Sequence, residues 1–258
     1  DPAEAERILT AVGATAQDQR RFMESIWLGP APMATPSDSP AALGVSITGV
    51  CTLMAGQPAS ASTSISRIID CGRSAMCEVP SLRWDAPTDL VEPVAARLRH
   101  CGLVHGCDLY DNAAFGVSPA ETAAMDPQQR LLLETGYSAM HVGGFSRQAQ
   151  QGLSGIFLGI ETNDFSEYLM ASPLADTPYA ATGVTDSVAC GRLSYVLGLQ
   201  GPCAAYATAC SAALTACHAG LRALQFSECT AGLVMGVNLV LSPRLGTCLA
   251  IAAMTSVK

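Results

Sequence analysis

Short apolar runs that alternate with helix-forming stretches constrain this chain more than any other feature. Leu43–Cys51 (LGVSITGVC) is a β-branched run of strand length and reads as a buried strand. Gly155–Ile160 (GIFLGI) is a second buried strand, Leu233–Leu241 a third, and Pro202–Ala209 an extended segment. Helix signals lie between them. Pro119–Met140 opens with Pro-Ala-Glu-Thr and has an apolar centre at Leu131–Glu134. Ser187–Leu197 ends at Gly198, a stop signal. Ser211–Leu224 is rich in Ala, and Ser62–Asp70 is a shorter helical candidate. Strands and helices in alternation predict an α/β layered fold. No internal repeat is visible.

Composition agrees with that layering. Hydrophobic residues make up 49% of the chain and aromatics only 5%, so the apolar content is mostly Ala, Val, Leu and Ile. Such side chains pack helices closely onto sheets. The 258 residues correspond to roughly one to two domains and suffice for a sizeable core. Lys and Arg number 14 against 22 Asp and Glu, giving a net charge of −8. General binding to nucleic acid or an anionic membrane needs clustered Lys and Arg, so neither is expected. A membrane span is not expected either, because it needs about 18 consecutive apolar residues. Ala231–Leu241 and Leu245–Met254 fall short and read as buried strands or core segments.

The N-terminal region differs from the rest. Pro2–Ala16 favours helix. Gly29-Pro30-Ala31-Pro32 and Thr35–Pro40 then form a Pro- and Ser-rich break, either a linker or an ordered loop against the core. Residues 1–40 are expected to be a linker or upstream extension, and 41–258 the folded domain. The acidic start Asp1-Pro2-Ala3-Glu4 does not resemble a signal peptide. The chain lacks an initiator Met and is expected to be a piece of a longer one. Its eleven cysteines cannot all pair. Many, such as Cys190, Cys203 and Cys217, sit in apolar stretches and read as small reduced hydrophobes. That implies a reducing intracellular compartment, with the cytoplasm as the first expectation.

Most candidate motifs have a simple reading. No phosphate-cradling G-x-x-x-x-G-K-[ST] and no strand-linked G-x-G-x-x-G is present. Gly143, Gly144, Gly152 and Gly155 read as turn residues. His100-Cys101 and His105-x-Cys107 crowd one loop, but the spacing fits no usual zinc ligand set. No metal is expected there.

Ala207–Leu214 is the richest stretch. A strand-like run ends at Ala209 and an Ala-rich helix begins near Ser211. Cys210 therefore falls at a helix N-terminus, where free N–H groups and the dipole favour a thiolate. Small neighbours permit a sharp turn and close substrate approach. An inert buried cysteine is the competing reading, and ten other cysteines compete with Cys210.

Ala124–Glu134 (AMDPQQRLLLE) resembles the signature of β-ketoacyl synthases, the ketosynthase domains of polyketide and fatty-acid synthases. So does Thr208-Ala209-Cys210-Ser211. The flanking motifs resemble the family in the same order: Val79-Pro80 with Arg83-Trp84-Asp85, Asp111–Pro119 (DNAAFGVSP), Gly155–Asp164 (GIFLGIETND), Thr182-Gly183, Gly191–Tyr195 and Leu199–Pro202. Gly236–Leu239 and Leu241-Ser242-Pro243 follow the cysteine. The resemblance runs from about Leu43 to the end.

The resemblance implies a thiolase-like fold of layers α-β-α-β-α, of which this chain supplies the N-terminal half. It implies that Cys210 is the nucleophile, with its backbone N–H forming part of an oxyanion hole. Cys210 would accept an acyl chain as a thioester. A malonyl extender on acyl carrier protein would lose CO₂, and its carbanion would attack that thioester. No cofactor is bound directly, since substrates ride on the phosphopantetheine of the carrier protein. A homodimer paired through the strand near 202–209 is also implied.

Departures from the family pattern temper that expectation. Ala207 stands where the family usually has Asp, and Ala212 and Ala213 where it has Ser. The two condensing histidines belong to the family's C-terminal half, beyond residue 258. His100, His105 and His141 lie in other segments. His218 lies about 12 Å along the helix from Cys210 and reads as a packing residue. The given chain is expected not to condense alone and to expose apolar surface, whether as a fragment or as a separate half. A non-catalytic ketosynthase-like dimerisation module is the alternative. A coenzyme A-dependent thiolase is a third reading, and Asp126–Arg130 counts against it.

Overall fold

The computed structural model describes residues 45–55, 72, 74–85, 90–144, 153–161 and 163–256. The expected helices Pro2–Ala16 and Ser62–Asp70, the Pro- and Ser-rich break, the boundary at residue 40, Cys71 and Gly152 lie outside these. In chain order the described elements are β1 (Met76–Glu78), α1 (Val94–Arg97), β2 (His100–Gly102), α2 (Pro119–Ala124), α3 (Pro127–Val142), β3 (Ser154–Gly159) and α4 (Phe165–Met170). They continue through α5 (Ala180–Gly183), α6 (Asp186–Leu197), β4 (Cys203–Tyr206), α7 (Ala212–Gln225), β5 (Ala231–Gly236) and α8 (Pro243–Ile251).

A three-stranded parallel sheet in the order β4-β3-β5 organises the chain. All six residues of the central strand β3 are buried, as expected when helices cover both faces of a parallel sheet. Alternation along β3 divides the core. Ile156 and Leu158 face a cluster with Leu132, Leu133 and Met140 of α3 and Ala189, Cys190 and Leu193 of α6. Phe157 faces the opposite side, against Ala216 and Ala223 of α7. Each fully buried Leu or Ile contributes about 1.5–3 kcal/mol by leaving water. A separate antiparallel pair joins β1 to β2, with Cys77 opposite Cys101.

Several elements follow the sequence reading closely. Gly155–Ile160 corresponds to β3, and Ser187–Leu197 to α6. Gly198 ends α6 in the left-handed region (φ 71°), where its missing Cβ avoids a clash. Ser211–Leu224 corresponds to α7, starting one residue later.

Other expectations are corrected. Pro119–Met140 is two helices, not one. Pro127 lacks an N–H and disfavours helical backbone at Asp126, so Met125 and Asp126 are extended (ψ 130° and 131°). Asp126 instead caps α3, its carboxylate accepting from the Gln128 N–H at 2.7 Å. The described part of Leu43–Cys51 is not a strand, and Ile47 and Val50 are 84% and 63% exposed. Its β-branched residues have no ladder partner. Gly49 instead lies over the end of α3, where any Cβ would overlap the Ala139 carbonyl. β5 begins at Ala231 and ends at Gly236, so Val237–Leu241 is loop. Leu245–Met254 is not a strand: α8 covers most of it. Ser242 caps that helix and Pro243 occupies its first turn. Gly155 is a strand residue rather than a turn residue; a Cβ there would stand 2.9 Å from the Phe157 ring.

The cysteines are less buried than their apolar neighbours suggested. Cys107, Cys190 and Cys229 are buried, whereas Cys203 and Cys217 are exposed. All ten described cysteines are free thiols. No helix among the described residues is long and apolar enough to cross a membrane.

Candidate active site

Cys210 lies between β4 and α7, as the strand-to-helix junction predicts. Ala207 and Thr208 lead from β4 into a single 3₁₀ turn, Ala209–Ser211, which runs directly into α7. Ala209 holds φ at 53°, a left-handed conformation that costs a non-glycine residue about 1–2 kcal/mol. Ser211 N–H donates to the Thr208 carbonyl at 3.2 Å, and Ala212 N–H donates to that of Ala209. These bonds close the turn without the Cys210 amide. Cys210 is exposed in front of the 14-residue helix α7.

Small residues bring this turn onto the sheet. Gly159 and Gly236 end β3 and β5 on the side where the strands run out. A Cβ on Gly159 would stand 2.5 Å from the Ala212 carbonyl carbon and the Ala213 nitrogen. One on Gly236 would stand 2.8 Å from the Ala213 Cβ. The first turn of α7, and Cys210 with it, therefore sits at the carboxyl ends of the parallel strands, where open α/β sheets bind ligands. A cleft of about 370 Å³ beside it is lined in part by Leu131, Thr135, Ala213, Met235 and Leu239. Ala212 is buried at this contact, so one of the departures from the family pattern serves close packing.

Hydroxyl groups surround the turn. Ser211 Oγ lies 2.6 Å from the Thr208 carbonyl oxygen and 3.1 Å from Thr208 Oγ1. Thr208 Oγ1 in turn lies 3.1 Å from Thr215 Oγ1. The sequence reading missed Thr215. Thr215 comes within reach of Thr208 only through the left-handed turn at Ala209, so residue spacing alone does not reveal it.

The signature Ala124–Glu134 builds the frame rather than the reacting centre. Gln128 Oε1 accepts from Leu239 N–H at 3.2 Å, tying α3 to the loop after β5. Gln129 Nε2 donates to the carbonyls of Thr182 (3.2 Å) and Gly183 (3.0 Å). Arg192 Nε donates to Gln129 Oε1 at 3.0 Å, and its guanidinium pairs with Glu121. Gly183 approaches the Ala124 carbonyl so closely that any side chain would overlap it. Asp164 Oδ2 accepts from the N–H groups of Leu241 and Ser242 at 3.0 and 3.1 Å. Burial of Asp126 pushes its carboxyl up to about 6, against the opposing hydrogen bonds from Gln128.

The structure does not gather the histidines at Cys210. His100 is on β2, His105 is exposed in the next loop, and His141 lies in the last turn of α3. His218 is exposed on α7 and is not the packing residue expected. Cys107 is buried, its sulfur accepting from Arg83 at 3.4 Å. No group of three or more His, Cys, Asp or Glu among the described residues is placed to hold a metal ion.

A parallel sheet with helices on both faces and a cysteine at a strand-to-helix junction fits the N-terminal half of a thiolase-like fold. Residues 43–258 match the family described as β-ketoacyl synthase, N-terminal domain. The chain belongs to the β-ketoacyl synthase family. It is 35% identical over 220 residues to the spectinabilin polyketide synthase system protein NorC of Streptomyces orinoci, covering 82% of this chain and 10% of that protein. It is 37% identical over 177 residues to a phenolphthiocerol/phthiocerol polyketide synthase of Mycobacterium tuberculosis, covering 67% and 12%. Among solved structures it is similar to the oxazolomycin ketosynthase domain OzmH KS7 of Streptomyces albus, with a TM-score of 0.71 and 28% identity over 80% of this chain and 37% of that one. A ketosynthase from module 6 of the Bacillus subtilis bacillaene synthase gives a TM-score of 0.68 and 27% identity, over 79% and 34%. The chain thus spans about a tenth of these curated synthases and about a third of these ketosynthases.

Proposed function

We propose that this chain, in residues 41–258, contributes the acyl-accepting centre of a ketosynthase in a polyketide synthase. Residues 1–40 are the linker or extension before it. The observation that carries this reading is the position of Cys210: exposed, at the N-terminus of α7, on the carboxyl edge of the sheet. Its sulfur attacks the carbonyl carbon of an acyl thioester. The new carbon–sulfur bond forms as the bond to the phosphopantetheine sulfur breaks, and that thiol leaves with the proton from Cys210. The Cys210 amide, which the turn does not use, is a candidate donor to the oxyanion formed on the way. Elongation follows when a malonyl extender on acyl carrier protein loses CO₂ and its carbanion attacks the Cys210 thioester. None of the four histidines hydrogen-bonds to Cys210, so the step assigned to these residues is acyl transfer.

The partners follow from the same reading. The acyl group arrives on an acyl carrier protein, and the chain itself binds no cofactor. β4 forms one edge of the sheet, which supports pairing with a second copy along Pro202–Ala209. A reducing, cytoplasmic location belongs to the same reading, since many of the eleven cysteines sit in apolar stretches as reduced thiols do.

The test is intact-mass analysis of the full-length protein after incubation with an acyl N-acetylcysteamine thioester. A single acyl adduct is expected, and Cys210→Ala abolishes it. An adduct that persists in Cys210→Ala refutes the assignment.

A further inference from the structure

We infer that Thr215 is a positioning residue for acyl transfer at Cys210, an inference that rests on the reading of Cys210 as the nucleophile. The turn that presents Cys210 contains a strained residue, Ala209, at φ 53°. Such a conformation persists only where its surroundings over-determine it. α7 itself offers little help, since it has no side-chain cap at its N-terminus. Ala212, Ala213 and Leu214 place no hydroxyl at the start of the helix, so Thr215 is its first one.

Thr208 is the residue that is clamped. Its carbonyl accepts from the Ser211 N–H (3.2 Å) and lies 2.6 Å from Ser211 Oγ. Its own hydroxyl lies 3.1 Å from both Ser211 Oγ and Thr215 Oγ1. Ser211 and Thr208 belong to the same short turn and can shift together. Thr215 belongs to the regular part of α7, whose neighbours Ala212 and Ala216 are buried against the sheet. The Thr208–Thr215 bond therefore fastens the left-handed turn to a rigid element. In this role Thr215 acts through Thr208 and not on the reacting atoms. It fixes where the Cys210 sulfur stands, and displacements of about 1 Å at a reacting atom cost up to about 100-fold in rate.

The experiment measures acylation of Cys210 in the full-length protein by an acyl N-acetylcysteamine thioester, alongside thermal melting. Thr215→Val keeps the shape and removes the hydroxyl. It is expected to slow acylation about tenfold while the melting temperature stays within about 2 °C of wild type. Thr215→Ser restores the hydroxyl and is expected to recover the rate to within about twofold. Acylation at the wild-type rate in Thr215→Val overturns the inference. So does a Thr215→Ser protein as slow as Thr215→Val, or a rate that falls only together with the melting temperature. Cys210→Ala separates the two readings. An adduct that survives it defeats the nucleophile assignment, whereas wild-type acylation confined to Cys210 and indifferent to Thr215→Val defeats only the role of Thr215.

Discussion

The Cys203 thiol lies 3.0 Å from the sulfur of Cys190, joining the first residue of β4 to the buried face of α6. The two thiols differ sharply in reach. Cys203 is exposed, whereas Cys190 is buried and its thiol is pushed up strongly, first by that burial and then by its contact with Cys203. The thiolate is the form that reacts with alkylating agents, so Cys190 should resist iodoacetamide at neutral pH. Cys203 is expected to label readily in dilute protein. If two copies pair along β4, its labelling slows as protein concentration rises, while that of Cys217 does not. Mass mapping of alkylated peptides across a concentration series measures both. Concentration-independent labelling of Cys203 argues against β4 as the dimer edge.

Gly159 offers a test of how the sheet holds the nucleophile turn. A methyl group there would stand 2.5 Å from backbone atoms of Ala212 and Ala213, which no rotamer change relieves. Gly159→Ala must push the start of α7 away from the sheet. Overpacking of this kind costs about 1–3 kcal/mol. The expected result is a lower chemical-denaturation midpoint together with slower acylation of Cys210. Gly191→Ala is the control, since a Cβ at Gly191 meets nothing within 4 Å.

What could be read from the sequence divides along physical lines. β3 was legible because a strand covered on both faces writes an unbroken apolar run. The end of α6 was legible because Gly198 must adopt a left-handed conformation. The junction that holds Cys210 was legible because a strand-like run and an Ala-rich helix meet there, whereas the choice of Cys210 among eleven cysteines rested on the family resemblance. The misreadings have two causes. Leu43–Cys51 has strand propensity but no strand edge to pair with, and pairing is a tertiary fact. Pro127 and Ser242-Pro243 did carry local signals, a helix break and a helix start, that the apolar patterns around them obscured. The hydroxyl clamp at Thr215 was hidden because it depends on the left-handed turn at Ala209, which no propensity scale anticipates.

The polar frame behind the signature predicts a large effect at Arg192. Its side chain is nearly buried, bonds Gln129 Oε1 at 3.0 Å and pairs with Glu121. Arg192→Met strands the Gln129 oxygen and leaves the Glu121 carboxylate without its partner. Loss of one member of a buried pair costs about 3–5 kcal/mol, and the part exposure of Glu121 places this case toward the lower end. Urea denaturation should show a fall of about 2–4 kcal/mol for Arg192→Met and a smaller one for Glu121→Gln. Equal effects from the two substitutions would contradict the central place given to Arg192.

Asp126 predicts a pH dependence of opposite sign to that of most carboxylates. Burial raises its carboxyl to about 6 from an ordinary value of 3.8, with a lesser push from Asp186. The Gln128 N–H and side-chain amide and the Arg130 guanidinium oppose that rise without cancelling it. Between those two values the folded state binds more protons than the unfolded state, so stability from this group falls as pH rises. The contribution is fully present below about pH 3.8, is lost through about pH 6, and is flat above. A shift of this size corresponds to a change on the order of 3 kcal/mol. Asp126→Asn keeps an oxygen to accept from Gln128 N–H and removes the titration. Urea midpoints of wild type and Asp126→Asn, measured from pH 4 to 7, isolate the group, because every other titration cancels in their difference. The stability of the variant is expected to rise relative to wild type across that range. A difference that stays constant with pH, or that moves the other way, shows that Asp126 is held as a carboxylate by its capping bond and not neutralised by burial.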